Sequence, residues 1–266
     1  MNKTLWLAAA ALLAAIALPS CKKEGTAVII GTGHQYEPFC YYNADGELTG
    51  LDIAVVKEID RRLTEYTFRF EVFDFANVLV SLAAGKADVG AHEFEENPDR
   101  RAAYLYGEEG YNDYDSWLTV KADGPWAQIK TLDDIAGNPD AVIGVSLGSN
   151  HEAFVKTWNQ THDAEHQLAS QVYNQTEVWL TNMGNGTFAA GLSTQFDIDL
   201  RNTLSPGISL TAVGSAPVIL SKAYFIFRKD GAELQRAFDR TLRDMKADGT
   251  LNRIRDETFS AYFRSF

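Results

Sequence analysis

One short stretch carries the residue types that could hold a small anion: Asn97-Pro98-Asp99-Arg100, which follows a mostly apolar run from Asp88 that ends in His92 and Glu93. Asparagine, proline and aspartate in that order are the N-cap, first-turn proline and first-turn acid of a helix start. A helix N-terminus already has free N–H groups and partial positive charge, so an arginine in that turn adds a guanidinium where anions are attracted anyway. Residues 88–93 read as a short buried strand, and open α/β sheets bind ligands at the carboxyl ends of their strands. Taken alone, Arg100 could equally pair with Asp99 or Glu96 at the surface. Further on, Gly148-Ser149-Asn150-His151 leads from a strand into another helix.

The elements that would position these residues follow from periodicity. Residues 27–31 are β-rich, and 43–46 (Asn-Ala-Asp-Gly) is turn chemistry of the hairpin type. Val55, Val56, Ile59 and Leu63 share one face of a helix over 51–63, while Tyr66, Phe68, Phe70 and Val72 alternate as a strand does. A helix over 75–84 then leads to the strand at Asp88. That order is β–α–β–α–β, the pattern of a parallel sheet with covering helices. After a polar and aromatic break at 111–116, a second α/β block begins with a strand at 117–120. It includes a helix start at Thr131 to Asp134, strands at 141–145 and 188–192, and helices from Asn150 through Trp158 and over 177–183. A strand at 223–227 precedes a long helix whose stripe is Leu234, Phe238, Leu242 and Met245, ended by Gly249, and a last helix runs over 251–263. The C-terminal elements have no sheet of their own, so they are expected to return to the first block. Two crossings then form a hinge with a cleft between facing strand ends.

Residues 1–20 are expected to be an export signal: Lys3 is followed by an apolar core over 5–18 that is too short for a spanning helix. Leu18-Pro19-Ser20-Cys21 resembles a bacterial lipoprotein box, which implies lipidation of Cys21, a tether over 21–26 and attachment to a membrane surface. With two cysteines in the chain, a lipidated Cys21 leaves Cys40 with no disulfide partner, and Cys40 reads as a small buried hydrophobe. About 245 residues remain, enough for one large or two medium domains. The net charge of −12 argues against nucleic acid, and against anionic lipid except through the anchor. His162 and His166 have a spacing that could set two imidazoles on one helical face, but they stand in a polar run and read as a solvated pair, with no metal or other cofactor expected.

Four separated motifs, in order, resemble the family 3 solute-binding proteins of polar amino-acid ABC importers over essentially the whole exported length. They are Gly31-Thr32 with Tyr36-x-Pro38-Phe39 and Asp45 to Gly50; Gly85-Lys86-Ala87-Asp88 with Asn97 to Arg100; Gly144-Val145 with Gly148-Ser149-Asn150; and Phe227-Arg228-Lys229 with Asp248-Gly249-Thr250-Leu251. The resemblance implies an α/β type II periplasmic binding protein fold: lobe one over 27–111 plus 222–266, lobe two over 112–221, a two-strand hinge and a central cleft. It further implies that Arg100 grips a ligand carboxylate, that Gly148, Ser149 and Asn150 bind the same group from lobe two, and that Tyr36 and Phe75 wall the ligand side chain. His92 and Glu93 fall where the family faces the amino end of the ligand. Thr194 stands where the family carries an ammonium-binding aspartate, so the charge would have to come from elsewhere, with Glu93 the candidate. On strand alternation, Glu93 and Ala91 would point one way and His92 and Phe94 the other, and Glu95 and Glu96 read as a solvated run before the helix.

The segments 90–95 and 193–197 resemble the subset that binds cystine and related sulfur amino acids. The implied protein is a monomeric, non-catalytic binding lipoprotein of the periplasm or cell surface that delivers an amino acid to an ABC permease and ATPase. The competing expectation is a dehydratase-like enzyme on the same scaffold, with Glu93 as general acid.

Overall fold

The computed structural model describes residues 25–265, so the expected signal segment, Cys21 and most of the tether lie outside the described residues. The chain opens with β1 (Thr26–Thr32), the short strands β2 (Gln35–Tyr36), β3 (Cys40–Tyr42) and β4 (Leu48–Thr49), and α1 (Leu51–Arg62). Next come β5 (Tyr66–Val72), α2 (Phe75–Ala83), β6 (Val89–Glu95), α3 (Pro98–Ala103), β7 (Leu105–Tyr106) and β8 (Asn112–Asp113). The second block holds β9 (Trp117–Lys121), β10 (Ile143–Ser146), α4 (Asn150–Thr161), β11 (Ser170–Tyr173), α5 (Thr176–Asn185), β12 (Ala190–Ser193), α6 (Gln195–Leu204) and β13 (Leu210–Val213). The chain closes with β14 (Lys222–Phe227), α7 (Ala232–Ala247) and α8 (Thr250–Phe263).

These elements make two sheets. In one, the order is β5-β1-β6-β14-β7, parallel from β5 to β6, with β14 antiparallel and β8 added beside it. In the other, the order is β11-β10-β12-β9-β13, with β9 antiparallel to both of its neighbours. The return of β14 to the first sheet is as expected. Between the sheets the chain crosses twice, and the crossings are tied by Asp113 against Lys222 and by a bridge between Ser116 and Ile219. Two lobes on a two-strand hinge result.

The stripe Leu234, Phe238, Leu242 and Met245 is buried, and the Phe238 ring lies 5.4 Å from Phe68, 5.4 Å from Phe225 and 5.2 Å from Phe227. This clamps α7 onto the first sheet, and burial of such rings dominates the core energy. Gly50 enters α1 at φ 117, and a Cβ there would fall 2.2 Å from the Phe39 carbonyl oxygen, so only glycine fits. Cys40 is buried, as expected.

Two expectations fail here. Thr131 to Asp134 starts no helix: the Asp134 carboxylate accepts from the Lys130 and Thr131 N–H groups to close a turn, and Gly137 (φ 75) and Pro139 prevent propagation. His162 and His166, read as a solvated pair, are both exposed; α4 ends at Thr161, so they share no helical face, and His162 stacks on Trp158 while His166 pairs with Asp163. Strand alternation across residues 91–94 also fails. Gly90 pairs with Ile226 and Phe94 with Tyr224, so three residues of β6 face one of β14, a bulge in which Glu93 takes φ 46.

Candidate ligand site between the lobes

The bulge sits at the carboxyl end of β6 and sets up the first half of the site. It turns His92 against Tyr36 (5.4 Å between rings, nearly parallel) and Phe75 (4.8 Å). Gly33 makes room, since a Cβ there would lie 2.2 Å from His92 Nε2. Tyr36 in turn packs on Phe39 and shares a hydroxyl–hydroxyl hydrogen bond with Tyr114 of the hinge. Phe75, the first residue of α2, also stacks on Phe94, so the wall residue serves the core as well.

Two residues after the end of β6, Asn97 caps α3 by accepting from the Arg100 N–H at 2.9 Å, as expected. The Arg100 side chain, 7 % exposed, runs back over Phe94 (5.5 Å) and Phe75 (5.9 Å). Its Nη1 donates to the Glu95 carbonyl at 2.9 Å, and its Nη2 donates across the junction to the Gly148 carbonyl at 2.6 Å. In the opposite direction, Asn150 Nδ2 donates to Glu95 Oε1 at 3.1 Å. Both are bonds between lobes. The cap of α4 is Ser149, whose hydroxyl accepts from the Glu152 N–H, while the Glu152 carboxylate accepts from the Gly148 N–H; Asn150 is freed to reach Glu95.

Of the expected site residues, Tyr36, Phe75, His92, Arg100 and Gly148 are thus linked by direct contacts, and Asn150 joins them through Glu95. Ser149 adjoins them as the helix cap. Thr194 caps α6 by accepting from the Asp197 N–H, and no described contact joins it to the others. Glu93 is buried beneath them: Asn112 Nδ2 donates to Oε2 at 2.7 Å, and its backbone N–H donates to Asp52 Oδ2 and the Tyr111 hydroxyl. Burial first, then the charge of Asp52, push the Glu93 carboxyl well above its usual range.

Glu95 overturns its expectation of solvation. It is 5 % exposed, whereas Glu96 beside it does pair with Arg101 at the surface. The sequence alone gave little warning, because the bulge and a partner in another lobe decide the matter. Tyr114, His151 with Ser116 (2.9 Å), and the Asp197–Arg201 pair (3.1 Å) are further polar groups near the junction that sequence reasoning passed over.

Burial pushes Glu95 up to about 7 and Asp52 up to about 6, and it pushes His92 and His151 down to about 4. The raised acids bind a proton more readily folded than unfolded. Their stabilisation is complete below the ordinary carboxylate range and is lost as pH rises through about 6 to 7. The depressed histidines stabilise above their ordinary value and lose that contribution as pH falls toward 4. Stability therefore peaks between the two limbs. From about pH 6.5 to about pH 8, Glu95 alone costs about 1 kcal/mol, a fall in Tm of about 3 °C. A Tm that rises over that interval in a thermal scan without added ligand contradicts these assignments.

The profile of the bacterial extracellular solute-binding proteins, family 3, matches residues 28–261. The chain belongs to that family. Its relatives include the L-cystine-binding protein TcyK of Bacillus subtilis, 30 % identical over 88 % of this chain and 83 % of that one. The L-cystine-binding protein TcyJ of the same organism is 32 % identical over 87 % and 83 %. Among solved structures, a putative L-cystine ABC transporter protein from Listeria monocytogenes superposes with a TM-score of 0.77 at 32 % identity, over 87 % of this chain and 95 % of its own. The family member described here therefore shares the two-lobed binding fold, and among its described residues no helix is long and apolar enough to cross a membrane.

Proposed function

We propose that this solute-binding protein captures an amino-acid zwitterion of the cystine class between its lobes and hands it to an ABC permease. In this reading the protein is a monomer held by a lipid on Cys21 at the periplasmic or outer face of a membrane, with lobes over 27–111 plus 222–266 and 112–221. The observation that carries the proposal is the Arg100 guanidinium of one lobe lying 2.6 Å from the N-terminal loop of α4 in the other. A carboxylate entering there meets a fixed bidentate donor and a positive helix end together. Because both surfaces meet only when the lobes close, binding shifts the hinge equilibrium toward the closed form. The sulfur amino-acid class is supported by the names of the relatives, and the aromatic wall of Tyr36, Phe75 and His92 suits a long, polarisable side chain.

Glu93, the residue an enzymatic reading would use as a general acid, is buried with its Oε2 held by Asn112 at 2.7 Å. The relatives named above are binding proteins, and the enzymatic reading is set aside.

The test is a thermal-shift screen of the common L-amino acids and L-cystine. A ligand at 100 times its Kd adds about 2.7 kcal/mol, a rise of about 5–10 °C for a chain of this size. At least one panel member should give it. A flat response across the panel contradicts the proposal.

A further inference from the structure

We propose that His151 and Ser116 are positioning residues for ligand capture, their hydrogen bond fixing the tip of α4 to the crossing about which the lobes turn; this rests on the reading of the junction as an amino-acid site. The imidazole Nε2 of His151 and the Ser116 hydroxyl lie 2.9 Å apart. Ser116 has no exposed surface, and His151 is almost fully buried. Water is therefore a poor substitute for either partner, and the bond is worth more here than it would be at the surface.

The place of each residue gives the bond its reach. Ser116 stands on the first crossing, and its backbone is where that crossing bonds to the second. Its N–H donates to the Ile219 carbonyl at 2.8 Å, and its carbonyl accepts from the Val218 N–H at 2.8 Å. His151 is the second residue of α4, directly after Asn150. Successive side chains of a helix point about 100° apart, so Asn150 reaches Glu95 in lobe one while His151 reaches the hinge. A single turn of helix is thereby bonded on one side to the lobe that meets it and on another to the pivot.

The other hydrogen bonds of this helix end shape it without placing it. The Ser149 hydroxyl accepts from the Glu152 N–H, and the Glu152 carboxylate accepts from the Gly148 N–H, so both close within the tip. The loop before it is held to its own sheet by the Leu147 N–H on the Tyr173 carbonyl. None of these reaches the hinge. A binding group must be held to within about 0.5 Å of its working geometry, and the His151 bond is what holds Gly148 and Asn150 in register with the pivot. Burial first, then the charge of Arg100, push the His151 ring down to about 4, so a neutral ring faces a neutral hydroxyl.

The test is calorimetry on the wild type, Ser116→Ala and His151→Leu, each titrated with the amino acid that the thermal screen selects and with its carboxamide. Loss of the tie should weaken amino-acid binding by about 10-fold in each variant. The carboxamide carries no charge for the helix end to attract, so its affinity should fall by less than about 3-fold. The double variant should bind no worse than either single one, because both changes remove the same bond. Ser116→Ala leaves the backbone pairing of the crossings in place, and its Tm should fall by only about 2–4 °C. If His151→Leu does not fold, Ser116→Ala decides alone. A residue that merely props the fold would lower Tm and weaken both ligands alike. Equal weakening of the two ligands, costs that add in the double variant, or an unchanged affinity in Ser116→Ala overturns the assignment and leaves the binding function standing. Failure of the wild type to bind any amino acid removes both.

Discussion

Replacing Arg100 with methionine is expected to weaken amino-acid binding by about 1,000-fold, the effect of removing a buried charged partner from a carboxylate. The size follows from the way the guanidinium is held. It is almost fully buried, rests on the Phe94 and Phe75 rings, and is oriented by the Glu95 carbonyl. Little conformational freedom is lost when a carboxylate arrives, so the bidentate interaction is realised nearly in full. Methionine keeps the apolar contact with the two rings, and Asn97 still caps α3 through the backbone N–H. The Tm without ligand should therefore change by only a few degrees, and calorimetry should find the fold intact and the affinity gone. Lysine is not a conservative substitute here, because a single ammonium cannot span the Glu95 and Gly148 carbonyls as the two Nη atoms do.

The second large effect is expected at a different contact between the lobes. Phe196, at the start of α6, stacks on Phe259 of α8 at 4.3 Å and meets Phe39 and Phe263 edge-on, each at 6.0 Å. α6 follows the second sheet, while Phe39 and α8 pack with the first. This aromatic contact therefore bridges the two lobes as they stand in this structure, reaching the Tyr36 wall through Phe39. Loss of a half-buried ring from such a cluster costs about 2 kcal/mol. That cost falls on the arrangement in which the lobes meet, so Phe196→Ala should weaken binding by up to about 30-fold. Small-angle scattering with saturating ligand should still show closure, since the variant alters the population and not the end state. Unchanged affinity in Phe196→Ala would mean that the contact contributes nothing to closing.

Much of this architecture could be read in the chain itself. The stripe on α7 is strict in its period, and its four residues are buried as the spacing requires. The Asn97-Pro98-Asp99 start signal is local chemistry, and the cap forms as written. Elements with weak local signals were missed. β11 (Ser170–Tyr173) is an edge strand whose residues are mostly exposed, so it lacks an apolar pattern. α6 starts inside the motif at Ser193 to Asp197, which masks its first turn, and β13 (Leu210–Val213) lies beyond it.

The site divides in the same way. Arg100 could be found because its context is a helix start. Glu95 could not, because a run of acids before a helix is ordinarily solvated, and two non-local facts reverse that here. One is the bulge against β14; the other is a partner, Asn150, that is 55 residues distant. Thr194 follows from resemblance alone, and its hydroxyl accepts the Asp197 N–H in the cap of α6. Local chemistry predicts the elements and their ends, whereas burial of a polar group depends on which distant surface covers it.

The central claim is that Arg100 and the tip of α4 seize one carboxylate between them. A thermodynamic cycle tests it most directly: wild type and Arg100→Met, each titrated with the selected amino acid and with its carboxamide. If the guanidinium holds the carboxylate, the two changes remove the same interaction, and together they should cost little more than either alone. If their costs simply add, Arg100 acts on some other part of the ligand, and this account of the cleft is wrong.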